Sequence, residues 1–285
     1  MPYLVPLRVV EGWLVDDVPY GDLTTLSLGI GGLEGVAEVF VREKCVVAGT
    51  EEAGRVYELA GARVDYLKGS GSKASPGEVV LRASGKALSL HTAWRVAQTA
   101  ISFASGVATK TRRLVTLARS ANPGVMVVTT RKTPPGVRAL YFKAVMAGGG
   151  YIHRYGLSET ILVFSNHASF LGGLEEALRA LSEVRRSQPT RKVGIEVGSL
   201  EEAVKAARAG IEFIQLEKLR PSEVREAVRA VREVSPTAVV AVAGGIDEGN
   251  IREYADAGVD VIVTSAPYSA KPIDVGTRIA PRGNP

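Results

Sequence analysis

The sequence has little cysteine and few aromatic side chains, and these shortages exclude several classes of protein. Cys45 is the only cysteine in 285 residues, so an intramolecular disulfide is ruled out and a reducing compartment, the cytoplasm, is expected. Aromatic residues make up 6% of the chain and no run of five basic residues occurs, which argues against a nucleic-acid surface. The net charge of +5 suits phosphorylated substrates instead.

The sequence also contains no apolar run as long as a membrane span and lacks several nucleotide and metal motifs, and a signal peptide is not expected. Apolar runs such as residues 259–266 have the length of a strand and fall short of a membrane span. The first residues, MPYLVPLRVVEGWLVDD, lack the basic-then-apolar order of a signal peptide. The absence of GxxxxGK(S/T), GxGxxG, HExxH and metal-like Cys/His spacings argues against ATP hydrolysis, dinucleotide binding and structural zinc.

Before residue 120, short apolar stretches broken by glycines predict a small mixed β-sheet. These stretches are residues 35–49, 62–70 and 77–85. Residues 87–119 predict one long helix, or two helices broken at Gly106.

After residue 120, apolar β-branched runs alternate with amphipathic helical stretches. The predicted strands are 125–129, 160–164, 192–197, 213–216, 238–242 and 259–264, and the predicted helices are 137–147, 173–186, 199–209, 221–233 and 247–257. This alternation predicts a parallel sheet covered on both faces. Six strands suit either an open doubly wound sheet or an incomplete barrel.

Functional groups gather at the carboxyl ends of strands in both kinds of fold. Here the groups at or just after the ends of the six predicted strands are, in order, Arg131-Lys132, Asn166-His167, Glu196, Glu217-Lys218, Gly244-Gly245 and Ser265. Six strand ends that converge on one set of polar groups favour a closed barrel.

The last two strand ends predict a phosphate site. Gly244 and Gly245 in AVAGGI would let backbone N–H groups approach a phosphate, and Ser265 in VTSAPY adds a hydroxyl. The plainer interpretation is a tight turn. Glu196 and Glu217 could share Mg²⁺ or bind sugar hydroxyls, and they could equally be ordinary surface carboxylates.

Arg131-Lys132 and His153-Arg154 are expected to supply positive charge, the arginines for carboxylates and the lysine for phosphate. Taken singly, an exposed arginine is usually a solvated surface residue. His153 precedes the second predicted strand, at the edge opposite to the other groups, so spacing alone does not place it in the site.

The segment TRKTPPGVRALYFKAVMAGGGYIHRYGL (130–157) resembles the signature of quinolinate phosphoribosyltransferases, also called nicotinate-nucleotide pyrophosphorylases. GDLTT (21–25), WRVAQTAISFASGVATKTRR (94–113), the strand of Glu196 and the GGI turn fit the same family in order. The resemblance covers nearly the whole chain. It is most specific at 130–157.

The resemblance implies an α/β fold with an incomplete six-strand α/β barrel and a small N-terminal α/β sandwich domain. We expect the sandwich at 1–118, with 266–285 packing back on it, and the barrel at 119–265. It also implies a homodimer or a larger homo-oligomer, in which Arg95 reaches the partner subunit's site.

The resemblance further implies the reaction and the residues that perform it. Ribose 5-phosphate passes from phosphoribosyl pyrophosphate to a ring nitrogen of a heterocyclic acid, and pyrophosphate leaves. The acid is held by Arg95 of the partner, Arg131, His153 and Arg154. The donor and Mg²⁺ are held by Lys132, the acidic strand ends Glu196 and Glu217, and the glycine turn with Ser265.

Three departures from the family pattern affect the acceptor. Phe164 replaces the lysine of a Lys-Asp-Asn-His run, Glu217-Lys218 replaces Asp-Asn, and AVAGG at 241–245 replaces Glu-Ala-Ser-Gly-Gly. LSETILVF, QLEKL, AVAGGI and VTSAPY are more similar to a branch of the superfamily, the ModD proteins named for association with molybdate transport. An unpaired buried carboxylate costs about 3–5 kcal/mol. We therefore expect quinolinate to be a poor substrate.

Two other functions remain open from the sequence. Lys218 at a strand end would suit a Schiff-base aldolase or sugar-phosphate isomerase. A non-catalytic accessory protein could use the same site to bind phosphoribosyl pyrophosphate or an oxyanion such as molybdate.

Overall fold

The structure is a computed structural model that describes residues 5–283. Residues 1–4 and 284–285 lie outside the described residues, and they include the start of the segment used to predict that no signal peptide is present. The described residues form two compact units. Within residues 5–283, the first unit takes its residues from 5–112, 133–149 and 267–283, and the second from Arg113–Lys132 and Gly150–Ala266. A domain is a unit that is able to fold alone. The predicted domains, 1–118 with 266–285 and 119–265, therefore stay a prediction.

Helices and strands are numbered in chain order. The helices are α1 Leu7–Asp17, α2 Leu23–Ser27, α3 Thr50–Leu59, α4 Ala87–Ala121, α5 Arg138–Ala147, α6 Ser165–Leu171, α7 Leu174–Ser187, α8 Leu200–Arg208, α9 Pro221–Val234 and α10 Ile251–Asp256. The strands are β1 Glu34–Val41, β2 Cys45–Val46, β3 Arg63–Leu67, β4 Lys73–Ala74, β5 Val79–Lys86, β6 Met126–Thr129, β7 Tyr151–Ile152, β8 Ile161–Val163, β9 Val193–Val197, β10 Phe213–Glu217, β11 Val239–Ala243, β12 Val261–Thr264 and β13 Val275–Pro281. A 3₁₀ turn covers Ala266–Ser269.

The first unit is built on a four-stranded sheet of order β13-β1-β5-β3. All of its pairings are antiparallel, so the predicted mixed sheet is wrong. Burial alternates along β1, which places Ala37, Val39 and Val41 on the core face. Beside this sheet, the buried Lys143 bonds both Glu51 and Glu52.

Helix α4 runs for 35 residues without a break, so the predicted single long helix is confirmed and the alternative, a break at Gly106, is wrong. A Cβ at Gly106 would lie 2.3 Å from the backbone oxygen of Lys271. The glycine is therefore needed for a close backbone approach on the helix surface, and the helix continues through it.

The second unit contains a seven-stranded sheet of order β7-β6-β12-β11-β10-β9-β8, in which every pairing is parallel. The six predicted strands are all present, and the two-residue β7 adds a seventh at one edge. Edge strands β7 and β8 follow each other in the sequence, yet no pairing joins them within the described residues. The predicted incomplete barrel is confirmed, and the closed barrel favoured by the strand ends alone is wrong.

The two faces of this sheet bury different residues. The outer face forms a large apolar cluster with helices such as α8 and α9, including Ile214 and Leu216 of β10. A small inner cluster contains Val128, Ala241, Ala243, Val261 and Val263, with Phe213 packed against it. Because side chains alternate along a strand, Gln215 and Glu217 of β10 share the inner face with Phe213. No described helix is both long enough and apolar enough to cross a membrane.

Candidate active site

Two neighbouring strands bring acidic and amide side chains together on the inner face. Gln215 of β10 is in register with Glu196 of β9. Gln215 Nε2 donates a hydrogen bond to Glu196 Oε2 at 2.6 Å. Glu217 follows two residues later on the same face, so the two predicted carboxylates stand at adjacent strand ends, as the sequence predicted.

The environment of Glu196 disfavours its charge. Burial, and then the negative charge of Glu217, raise the pKa of Glu196, while the bond from Gln215 and the charges of Lys132 and Lys218 act in the opposite direction. Lys132 and Lys218 therefore lie within electrostatic range of Glu196. Three of the predicted site residues, Lys132, Glu217 and Lys218, thus lie within electrostatic range of a fourth, Glu196.

Lys218 occupies an unusual backbone conformation just after β10. Its φ of +57° is the only positive φ at a non-glycine among the described residues. Its N–H donates to the Ala243 oxygen at 2.9 Å, which anchors the turn to β11. A Cβ on Gly244 would lie 2.6 Å from Lys218 Cγ, so a glycine is required there. The lysine side chain is 79% exposed, which does not suit the desolvated lysine of a Schiff-base enzyme.

We expect Lys218→Asn to stabilise the protein by about 1 kcal/mol, because asparagine tolerates the left-handed region better than lysine does. Urea denaturation should show a higher midpoint with an unchanged m value. Lys192→Asn, a change of the same kind at an exposed lysine without positive φ, should leave the midpoint nearly unchanged. An equal or lower midpoint for Lys218→Asn would contradict stored strain at this turn.

The unpredicted strand β7 settles where His153 lies. Tyr151 and Ile152 pair in parallel with β6, and the His153 N–H donates to the Thr129 oxygen at 3.1 Å. His153 therefore follows a strand and stands at the carboxyl edge of the sheet with the other groups. The sequence placed His153 at the opposite edge of the sheet, and that placement is wrong. A strand of two residues is too short to show a periodic pattern in the sequence.

His153 and Arg154 lie against aromatic rings. The ring of His153 meets that of Phe213 edge-on, with centroids 5.5 Å apart. The buried guanidinium of Arg154 lies 5.4 Å from the centroid of Phe164. Burial and then the charge of Arg131 lower the pKa of Arg154, which places Arg131 within electrostatic range.

Burial, and then the charge of Arg154, lower the pKa of His153 from 6.5 to about 4. His153 is therefore neutral near pH 7, and the positive charge expected of it is not supplied. Arg154 and Arg131 carry the charge on this side, and the imidazole offers a hydrogen bond.

This shift predicts acid sensitivity. Unfolded His153 takes up a proton below about pH 6.5, whereas the folded residue resists protonation down to about pH 4. Stability present above about pH 6.5 is therefore lost as the pH falls through this window. Between pH 7.5 and 4.5, we expect the free energy of unfolding to fall by about 2–3 kcal/mol more in the wild type than in His153→Gln. Urea titrations at both pH values measure this difference, and equal losses in both proteins would contradict it.

The glycine turn and Ser265 lie at the ends of β11 and β12. Gly245 is exposed, has a φ of +67°, and has open space where a Cβ would stand. Ser265 is exposed beside Thr264, whose hydroxyl donates to the Ile246 oxygen at 2.6 Å. An open backbone turn of this kind is able to accept a phosphate, and phosphate binding here stays a prediction.

A cavity of about 390 Å³ opens beside the carboxylates. Phe164, Ser165, Ser169, Glu196 and Glu217 are among its lining residues. The cavity shows that space for a small molecule adjoins the acidic strand ends.

Arg95, the predicted acceptor-binding residue of the partner subunit, belongs to the first unit. It is exposed on α4, and its guanidinium lies 4.7 Å from the Trp94 ring centroid. It lines a cavity of about 570 Å³ with Trp13, Phe103 and Tyr141.

The sequence-based reasoning missed one residue of the site, Gln215. The signal was present, because a glutamine interrupts the apolar run of a strand predicted to be buried on both faces. Gln215 is 4% exposed and bonds Glu196 on the neighbouring strand.

Comparisons with known proteins agree on one family. The model of the quinolinate phosphoribosyl transferase N-terminal domain matches residues 22–105, and that of the C-terminal domain matches residues 107–278. The ModD protein of Rhodobacter capsulatus, provisionally named a pyrophosphorylase, is 42% identical over 248 residues, which are 87% of this chain and 95% of that protein.

Two further relatives carry the nicotinate-nucleotide pyrophosphorylase name. A protein of Archaeoglobus fulgidus, provisionally named as the carboxylating enzyme, is 36% identical over 266 residues, which are 92% of this chain and 99% of that protein. The nicotinate-nucleotide pyrophosphorylase structure from Francisella tularensis matches with a TM-score of 0.87 and 26% identity, over 98% of each chain.

Proposed function

Because this chain belongs to the quinolinate phosphoribosyltransferase family, we propose that it transfers ribose 5-phosphate from phosphoribosyl pyrophosphate to a ring nitrogen of a pyridine-carboxylate-like acid. Pyrophosphate is released, as in the formation of nicotinate mononucleotide. The observation that carries the proposal is that Lys132, Glu217 and Lys218 all lie within electrostatic range of Glu196, at the carboxyl edge of the half-barrel. The enzyme is a pentosyltransferase.

The acceptor acid is assigned to the arginine side of the site. Arg131 and Arg154 pair with its carboxylate, since a guanidinium offers two parallel donors to a planar acid. His153, neutral near pH 7, contributes a hydrogen bond. Phe164, with Arg154 stacked on its ring, forms an apolar wall.

The donor is assigned to the opposite side. Lys132 faces the phosphates as a point charge, and the backbone at Gly244 and Gly245 with the Ser265 hydroxyl binds the 5-phosphate. Lys218, where the family has asparagine, adds a cation next to the Glu217 carboxylate.

Glu196 and Glu217 are the residues that would hold Mg²⁺. They fit because Glu217 raises the pKa of Glu196, and a cation between two repelling carboxylates relieves that repulsion. No group of three or more His, Cys, Asp or Glu that could hold a metal occurs in residues 5–283. That suits Mg²⁺, which proteins bind through one or two carboxylates and substrate phosphates. When bound, it would neutralise charge on the departing pyrophosphate.

The chemistry requires one bond to break and one to form. The C1–oxygen bond of the donor breaks with its electron pair passing to pyrophosphate, and the ring nitrogen lone pair of the acceptor forms the new bond to C1. Positive charge builds on the ribose in between. Glu196 and Glu217 stabilise that charge, and Lys132 stabilises the leaving group.

Quinolinate is proposed to be a poor acceptor, and decarboxylation is therefore not assigned. Its second carboxylate would meet Phe164, where the family has a lysine, and an unpaired buried charge costs about 3–5 kcal/mol. A less charged acid avoids this cost.

The active assembly is proposed to be a homodimer or larger homo-oligomer. Arg95 would then reach the acceptor in the partner subunit's site. Its exposure on α4 leaves the guanidinium available for that contact. The free, buried Cys45 fits a cytoplasmic enzyme.

A pyrophosphate-release screen tests the function. Heterocyclic acids are incubated with phosphoribosyl pyrophosphate and Mg²⁺, and at least one acid should give release that depends on the enzyme. Binding of phosphoribosyl pyrophosphate in calorimetry without release for any acid would favour the accessory protein instead. Borohydride trapping of a sugar phosphate on Lys218 would favour the Schiff-base enzyme.

A further inference from the structure

Gln215 carries a buried oxygen with no partner. The side chain is 4% exposed, and its Nε2 donates to Glu196. Its Oε1 has no hydrogen-bond partner in the part of the chain that the structure describes, residues 5–283. Buried polar atoms are nearly always paired, so an exception inside a site needs an explanation.

The neighbouring strands do not supply that partner. On one side, Glu196 is in register with Gln215, and its carboxylate accepts a hydrogen bond from the Gln215 amide N–H. A carboxylate has no proton to donate to Oε1. On the other side, Ala241 is in register and carries only a methyl group. Ala241 stands where the related family has a glutamate. The absence of that acid removes a polar side chain from the strand position beside Gln215.

The inner face at this level lies next to one of the proposed acceptor residues, His153. Gln215 shares the inner face with Phe213, whose ring meets that of His153. It is also two residues before Glu217, which lines the cavity of about 390 Å³. On β10, Gln215 therefore stands between Phe213, which contacts His153, and Glu217, which lines the cavity.

We propose that Gln215 determines acceptor specificity, by accepting a hydrogen bond through Oε1 from an N–H group of the acceptor. The acceptor is then a heterocyclic acid with an amino or ring N–H group, in addition to the nitrogen that receives the ribose. This inference rests on the proposed function for the transfer step, although the hydrogen bond itself is testable by binding alone.

The physical reason for selectivity is the unpaired oxygen. An acceptor without the N–H group leaves Oε1 desolvated and unbonded, whereas an acceptor with it satisfies the atom. Sites built to bond a substrate N–H discriminate strongly against analogues that lack it. We expect a preference of about 10- to 100-fold for the N–H compound over a shape-matched analogue.

The test uses pairs of pyridine-3-carboxylates. Each pair carries an amino group or a methyl group at the same free ring carbon, so shape is matched and only the amino compound offers N–H donors at that carbon; the Gln215 variant separates the hydrogen bond from the different basicity of the two rings. Two readouts are taken for each pair: kcat/KM for pyrophosphate release with phosphoribosyl pyrophosphate and Mg²⁺, and Kd from calorimetry without the donor. The wild type should prefer the amino compound in at least one pair.

Two substitutions separate the role of Gln215 from general effects. Gln215→Met keeps the length of the side chain and removes both polar groups. In this variant the preference for the amino compound, in kcat/KM and in Kd, should be lost. Ala241→Ser keeps Gln215 but adds a hydroxyl in register beside it, which should compete for Oε1 and lower the preference. Gln188→Met, the same chemical change at an exposed helix end, should leave the preference intact. Urea midpoints verify that each variant is folded.

The outcomes distinguish this inference from the proposed function. A preference that survives in Gln215→Met, or a wild type that treats every pair alike in both readouts, overturns the inference. A binding preference that Gln215→Met abolishes, without pyrophosphate release for any acid, supports the role of Gln215 and counts against the transfer reaction.

Discussion

Lys132→Ala is expected to lower kcat/KM for pyrophosphate release by about 10³-fold, the loss typical when one preorganised charge on a departing phosphate group is removed. Lys132 lies within electrostatic range of Glu196, so it shares the site with the proposed Mg²⁺ carboxylates. Its exposed side chain follows β6 and is free to extend toward the donor. Steady-state kinetics with varied phosphoribosyl pyrophosphate measure the loss.

Two further variants make this prediction specific. Lys192→Ala removes the same charge just before β9, at the amino edge of the sheet, and should change kcat/KM little. Lys132→Arg keeps the charge but not its compact shape, and should recover only part of the activity. If Lys132→Ala retained wild-type kcat/KM with a folded protein, Lys132 would have no part in donor binding or departure.

The carboxyl edge of the half-barrel shows which parts of the site a sequence is able to predict. The sequence places Glu196 and Glu217 at strand ends because each stands last or next to last in a strand of five residues, long enough for an apolar run to be visible. Strand β7 has two residues, Tyr151 and Ile152, and its pairing with β6 is a long-range contact that leaves no local pattern. His153 was therefore misplaced by the sequence and is placed by that pairing.

Glycine illustrates the same limit in the first unit. Gly106 in a helical pattern predicts a break when only local propensity is considered. The structure shows that its missing Cβ makes room for the backbone at Lys271, more than 160 residues later in the chain. The charge state of His153 is another property of packing, since burial and Arg154 set its pKa. Neither effect is encoded within a short window of sequence.

Phe164→Lys is expected to raise kcat/KM for quinolinate by about 100- to 1000-fold, because the new ammonium pairs the carboxylate that otherwise meets the apolar ring. The size follows from the cost of about 3–5 kcal/mol for an unpaired buried charge. Without a second carboxylate, the ammonium would instead stand near Arg154, whose guanidinium now lies over the Phe164 ring. Turnover of an acid with one carboxylate should therefore fall in the same variant.

In Phe164→Lys, turnover should rise for quinolinate and fall for an acid with one carboxylate. This opposite change is expected only if the new ammonium pairs the second carboxylate. Phe164→Leu removes the ring without adding charge, and should leave quinolinate turnover as low as in the wild type. Phe170→Lys adds the same charge on the outside of α6, where the wild-type side chain is 94% exposed, and should change neither acid's kcat/KM. Equal gains for both acids would point to a wider pocket instead of a paired carboxylate. Quinolinate turnover at the family's usual rate in the wild type would show that Phe164 does not restrict the acceptor.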